Sequence, residues 1–370
     1  MLFMKTVTLI ILVLSAEACV GCASDSAPSG SMQVASPMQG DVVTSIDARI
    51  WNVYHDRSGN VWFGSNGDGV FRYDGDTIVR YTVGSGLHGT QVRDIKEDDA
   101  GNVLVSTTRG VSLFDGERFT TLEMVDVAFG EDGWVSAPGD VWLVVDPDRN
   151  GPCRFDGETL YRLKLSKSPV DDGSRVQNPN MTFVSSGVYS VYKDRRGHVW
   201  FGTLGVGLCR FDGTTLSWMS EERLSTTPEG GAFGIRSVFQ DRNGEYWICN
   251  TRQRFDVALD STQVDGFDRL VYTKRAGVPD ASEDQSPNFE YFFSMVEDES
   301  GVLWMACGSG GVWKFDGDAV TRFEVADGAF SINITQDREG RIWVGTVDHG
   351  VYTFDGDAFV RFAPVQSSSQ

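Results

Sequence analysis

The chain has no apolar run long enough to cross a bilayer as a helix. The run from Val7 to Ala16 falls well short of the ~20 residues a span needs. It has only 4 histidines and 6 cysteines, and no Cys/His spacing among them would hold zinc. It has no phosphate-binding glycine loop and no nucleophile motif. Basic residues are in the minority: 32 Lys and Arg against 52 Asp and Glu give a formal charge of −20. That balance excludes nucleic acid and anionic membrane surfaces as partners, and it permits cationic ligands, metal ions and neutral glycans. Past the extreme N-terminus no stretch carries a 3.6-residue apolar period, which excludes a helical domain.

What is present is one phrase repeated seven times, first as Asp56 to Gly75. The copies align on Trp62, Leu104, Trp142, Trp200, Trp247, Trp304 and Trp343, a period of about 47 residues. A second landmark, aromatic-Asp-Gly, follows at Tyr73-Asp74-Gly75, Phe114-Asp115-Gly116, Phe155-Asp156-Gly157, Phe211-Asp212-Gly213, Phe315-Asp316-Gly317 and Phe354-Asp355-Gly356. In the fifth copy its counterpart is either Phe255-Asp256 or the displaced Val264-Asp265-Gly266. Each unit reads as four short strands separated by Asp, Asn and Gly turns; in the first copy these are Ile50–His55, Val61–Ser65, Val70–Tyr73 and Thr77–Tyr81. Four strands per unit at this period predict an all-β fold, a seven-bladed β-propeller of four-stranded antiparallel blades with the repeated Trp between blades. A lone sheet cannot bury both faces, so all blades form one domain.

The N-terminus reads as an export signal, with Lys5 ahead of the apolar run. Ala16-Glu17-Ala18 fits an ordinary cleavage site, whereas Val20-Gly21-Cys22 resembles a bacterial lipobox with Cys19 where Leu is common. We favour the lipobox, which makes Cys22 the lipidated residue. The expected organisation is residues 1–22 signal peptide and lipobox, 23–40 a Ser/Ala/Pro-rich tether, and 41–365 the propeller. The expected location is the cell envelope, as a periplasmic or outer-membrane lipoprotein that meets the membrane only through its lipid. Cys153 and Cys209 share one position in neighbouring blades, and Cys249 and Cys307 share another. Equivalent points so far from the axis exceed the ~7 Å reach of a disulfide, so four buried thiols are expected.

The phrase as a whole resembles the two-component regulator propeller repeat, Asp-x-x-Gly-x-φ-Trp-φ-Gly-Thr followed by Gly-φ and aromatic-Asp. Asp194 to Thr203 and Asp337 to Thr346 carry it; the third copy departs with Ser136 in place of the turn Asp, and the fifth departs after Thr251. The resemblance implies an extracytoplasmic sensor propeller of the kind joined to hybrid histidine kinases, here expected to stand without its own kinase. A looser likeness to streptogramin-type propeller lyases implies an alternative: an enzyme using a rim histidine, either His88 or His349 with Asp348, and a divalent metal.

If the first strand of each blade lies innermost, the loops between second and third strands share one rim with the blade-to-blade connections. The irregular stretches Lys164–Gly187, Ser220–Gly234, Lys274–Glu290 and Arg252 to Val264 all fall on that rim, which marks it as the binding face. Counting back four residues from each turn Asp gives Asn52, Asp94, Ser190, Ser237, Ser294 and Asn333, a small polar ring suited to a hydrated channel. One residue earlier come Trp51, Arg93, Tyr189, Arg236, Phe293 and Ile332, nearer the irregular rim. Aromatics alternating with arginines suit stacking on sugar rings or capture of a carboxylate. Asp68, Arg109, Arg252, Arg254 and His349 are further rim candidates. The expected function is binding of a small molecule, glycan or envelope protein by a monomer with no cofactor and no catalytic residue. An inert scaffold in an envelope complex is the third possibility.

Overall fold

The computed structural model describes residues 40–145, 151–166, 168, 186–219, 221, 224, 234–279 and 292–364. The cleavage and lipidation residues, the tether and most of the three long connections lie outside the described residues.

Seven blades follow one another along the chain in six sheets, two blades sharing one, and the four strands of blades one, two, four, six and seven run in order from the axis outward. Blade one is Ile50–His55, Val61–Ser65, Val70–Tyr73 and Ile78–Tyr81, with Asp41–Val43 added antiparallel at its outer edge. The first strand of the last blade, Ser331–Gln336, packs against Ile50–His55, so the ring is closed. Ile46 and Ala48 pack with Trp343 and Val351 at that closure. Second strands such as Val61–Ser65, Val199–Thr203 and Ile342–Thr346 are buried at every residue, because both faces of each blade meet a neighbour.

Both landmarks of the repeat turn out to be hydrogen-bonding devices. Asp56, Asp194, Asp241, Asp298 and Asp337 each accept the indole N–H of the Trp six residues on, at 2.7–3.0 Å. The second oxygen of each accepts the main-chain N–H four residues on, which closes the first hairpin. The spacing Asp-x-x-Gly-x-φ-Trp is therefore the reach of one carboxylate. Where Leu104 replaces Trp, no indole reaches Asp98, and the Asn102 side-chain amide donates to it at 2.8 Å, as that of Asn60 does to Asp56. The Asp of each aromatic-Asp-Gly landmark accepts the main-chain N–H groups two and three residues on, an Asx turn. Main-chain bonds from the turn hold the carboxyls of Asp74, Asp115, Asp316 and Asp355 below the usual range. Much of the acidity of this chain is thus part of its turns.

Neighbouring turns are clamped by the arginine after the turn Asp. Arg57 donates to Asp98 O, Arg195 to Asp241 O, Arg242 to Asp298 O at 2.6 Å, and Arg338 to Arg57 O at 2.9 Å across the ring closure.

Two blades depart from the expected pattern. In blade three the strand Met124–Ala128 does not lie innermost; it pairs parallel with Leu160–Lys164 at the outer edge. Val141–Leu143 is left as the inner strand. Without a turn Asp at position 136, no carboxylate closes a first hairpin there. In blade five, the stretch expected as a loop from Arg252 to Val264 is mostly strand. Arg254–Val264 and Phe267–Arg275 form a long hairpin, turned at Asp265 (φ 52°) and Gly266 (φ 81°). Phe255 keeps the third-strand aromatic position opposite Tyr246, and the Asp-Gly turn has moved outward. The hairpin then pairs with the outer strand of blade four, Leu216–Met219, joining two blades into one eight-stranded sheet.

Candidate functional site

The first strands surround a central cavity of ≈ 860 Å³. Its wall is layered, because each first strand presents one residue per blade at each level. Trp51, Arg93, Tyr189, Arg236, Phe293 and Ile332 form the level nearest the irregular rim, and all six are half-buried. Arg93 lies over the Trp51 ring, Cζ 4.7 Å from its centroid. Arg236 lies between two rings, 4.4 Å from Tyr189 and 5.1 Å from Phe293. Its main-chain N–H donates to Cys249 Sγ at 3.1 Å, which ties the strand to its blade. Phe293 meets Phe330 edge-on at 5.2 Å. A guanidinium stacked on a ring keeps its donors in its own plane, the geometry a carboxylate meets with two parallel bonds. Trp51 Nε1 has no hydrogen-bond partner among the described residues.

The next level is the small polar ring, and it largely ties blades together. Asn333 accepts the Val53 N–H at 3.0 Å, Asp94 the Val144 N–H at 3.1 Å, and Ser190 donates to Ile235 O at 2.8 Å. Below it lies an apolar level of Val53, Ile95, Val191, Val238, Met295 and Ile334. Along the first strands an Arg–aromatic mouth is thus followed by a polar collar and then by an apolar level.

The remaining rim candidates do not reach this cavity. Asp68 and His349 occupy one loop position in two blades. Their main-chain N–H groups donate to Ser65 and Thr346, whose hydroxyls in turn donate to Gly69 O and Gly350 O. That tie fixes each loop on the rim, away from the axis. Arg109 is exposed on the equivalent loop of blade two, and Arg252 is half-buried where blade five begins its hairpin. Arg254 lies on the hairpin, paired with Glu245 at 2.7 Å. His349 Nδ1 contacts Asp348 at 2.7 Å, whereas the His88 ring meets the Thr121 hydroxyl at 3.3 Å and its main-chain N–H donates to Ser112 at 2.9 Å. Neither histidine lines the channel. A resident divalent metal needs about three donors, and no group of three His, Cys, Asp or Glu side chains gathers among the described residues. The donor set does not fit such an ion.

His55, between the first and last blades, donates to or accepts from Thr335 at 3.0 Å and meets Trp343 edge-on; burial pulls its pKa below the usual value. Cys153, Cys209, Cys249 and Cys307 are buried thiols. Burial pushes Cys153 up to about 12 and Cys249 to about 11, so both are neutral packing groups.

Three stretches, residues 44–67, 182–205 and 325–348, match the repeat described as two component regulator propeller, so the chain carries repeats of that kind. No curated protein sequence matches it. Among solved structures, it superposes on the extracellular domain of BT4673 from B. thetaiotaomicron, described as a hybrid two-component system, with a TM-score of 0.55 and 16% identity over 85% of this chain and 39% of that one. Virginiamycin B lyase from Staphylococcus aureus gives 0.56 and 12% over 85% of this chain and 97% of that one. PorZ, a surface component of the type-IX secretion system of Porphyromonas gingivalis, gives 0.52 and 16% over 87% and 48%. The chain spans about two fifths of the length of the two-component extracellular domains it matches. At these identities the likeness speaks for the fold, a β-propeller.

Proposed function

We propose that this chain is an exported, lipid-anchored binding propeller whose ligand enters the Arg–aromatic mouth of the channel. The observation that carries the reading is the paired stacking of Arg93 on Trp51 and of Arg236 between Tyr189 and Phe293. A ring bearing a carboxylate fits that wall: its face stacks on the aromatics and its charge meets guanidinium. A uronic-acid glycan, an aromatic acid or an acidic segment of an envelope protein all have this chemistry. Export is supported by the N-terminal signal pattern and by the likeness to a domain described as extracellular. Lipidation rests on Val20-Gly21-Cys22. Replacing Cys22 by Ser is expected to move the protein from the membrane to the soluble envelope fraction, and an unchanged distribution would show that Cys22 carries no anchor.

Binding is tested by thermal shift against matched neutral and uronic-acid oligosaccharides and aromatic acids. The acids are expected to raise the melting temperature in proportion to ligand excess over Kd. Arg236→Ala removes a charge-assisted contact worth about 1.5–3 kcal/mol and should weaken binding about 10- to 100-fold, while His349→Ala leaves it unchanged. Equal stabilisation of Arg236→Ala and wild type contradicts the reading. Turnover of a bound ligand that is lost in His349→Ala would favour the lyase-type alternative, for which the 2.7 Å contact of His349 with Asp348 is the supporting observation.

A further inference from the structure

The inner end of blade three, where it meets blades two and four, lacks both turn devices described above. Ser136 stands where a turn Asp would accept the Trp142 N–H, and Asp99 stands where Arg57, Arg195, Arg242 and Arg338 clamp the next turn. The strand that would fill the inner edge is at the outer edge instead. At the rim opposite the Arg–aromatic mouth, this end of blade three opens into a second cavity of ≈ 450 Å³, lined by Tyr54, Lys96, Asp99, Trp142, Tyr192 and Lys193 among others. Trp142 is 4% exposed, and its Nε1 is buried with no hydrogen-bond partner among the described residues. An orphaned donor of this kind costs about 1–3 kcal/mol. Lys193, from the first strand of blade four, donates to Ala137 O at 3.0 Å and Pro138 O at 2.9 Å in blade three, and among the described residues no carboxylate pairs with it. The acidic groups nearby are mostly neutralised: Glu97 by Arg57 at 3.2 Å and Asp140 by Arg154 at 2.7 Å. Asp99 is left, exposed to water, where its charge is screened.

We propose that this cavity is a second ligand site, specific for a carboxylate from outside the chain. One oxygen accepts the Trp142 indole N–H and the group faces the Lys193 ammonium, taking the role that a turn Asp plays in five other blades. The carboxylate belongs either to a free small acid or to an acidic side chain of a peptide.

Indole N–H resonances of the full-length protein test this, with the Trp142 signal assigned by its loss in Trp142→Phe. The probes are succinate, the neutral succinamide, and a blocked Gly-Glu-Gly peptide. A saturable shift of the Trp142 signal with succinate or the peptide, absent with succinamide, is expected; which probe binds at least tenfold more tightly identifies the source. Lys193→Met should weaken it at least tenfold, and Arg236→Ala should leave it unchanged, which separates this site from the channel mouth. Ser136→Asp supplies the carboxylate from within, so it should abolish the response and raise the melting temperature. A Trp142 signal that moves no more with either acid than with succinamide overturns the proposal, as does an undiminished response in Lys193→Met.

Discussion

Replacing Asp194 by Ala will cost about 3–5 kcal/mol, lowering the melting temperature by about 4–7 °C. Asp194 is 5% exposed and accepts four hydrogen bonds: Trp200 Nε1 at 3.0 Å, Tyr246 OH at 2.6 Å, and the main-chain N–H groups of Arg196 and His198 at 3.0 and 2.9 Å. Tyr246 belongs to blade five, so this one carboxylate closes a hairpin and joins two blades. Burial, followed by the bond to Asp194, pushes the Tyr246 phenol far above its usual pKa, so it stays a donor at every working pH. Removing the carboxylate strands a buried indole N–H and a buried hydroxyl together. Asp98→Ala is the control: Leu104 offers no N–H there, and the loss should be about 1–2 kcal/mol. Denaturant unfolding measures both, and equal losses for the two variants would contradict the role assigned to the Asp–Trp bond.

Gly202→Val should be as damaging, about 4 kcal/mol or more. Gly202 sits in the Trp-φ-Gly-Thr phrase. A Cβ built there would lie 2.3 Å from Ser190 Oγ and 2.4 Å from Ile235 O, the donor and acceptor of the bond between blades four and five. Main-chain oxygen cannot step aside as a flexible side chain would. The variant should unfold at markedly lower denaturant or fail to accumulate, and wild-type stability would show that the blades do not approach this closely. Gly75→Ala, at φ 103° with open space around the added carbon, should cost only about 1 kcal/mol.

The repeat made the ring legible, because its spacing reports a physical requirement: one carboxylate must reach an indole six residues away. The Arg–aromatic mouth was legible for the same reason, since counting back from each turn Asp lands on one level of the channel. Asp68, Arg109 and His349 lie on the rim loops where the same counting put them, but they do not line the central cavity. Loop membership gives the rim but not the distance from the axis, and the Ser/Thr–Gly tie holds these residues outward. The displaced Asp265-Gly266 turn of blade five was legible as one of two readings, but the long hairpin that it closes was not. The alternation of buried Phe255 and Val257 with exposed Asp256 and Ala258 is the strand signal that was there to be read. The displaced strand of blade three could not be foreseen, because Met124–Ala128 has the composition of any inner strand and its pairing is decided by partners far along the chain. The signal for the second cavity was the single departure at Ser136, whose meaning depends on knowing what the other turn aspartates hold.

The central claim is that the repeated residues are used up in closing the ring, which leaves binding to the guanidinium and aromatic side chains at its mouth. Arginine-selective modification with phenylglyoxal, read residue by residue by mass spectrometry with and without the strongest acid from the thermal-shift panel, tests it most directly. Protection of Arg93 and Arg236, with Arg109 and Arg252 modified equally in both samples, is the predicted result. Protection of Arg109 or Arg252 with Arg93 and Arg236 unaffected would contradict it.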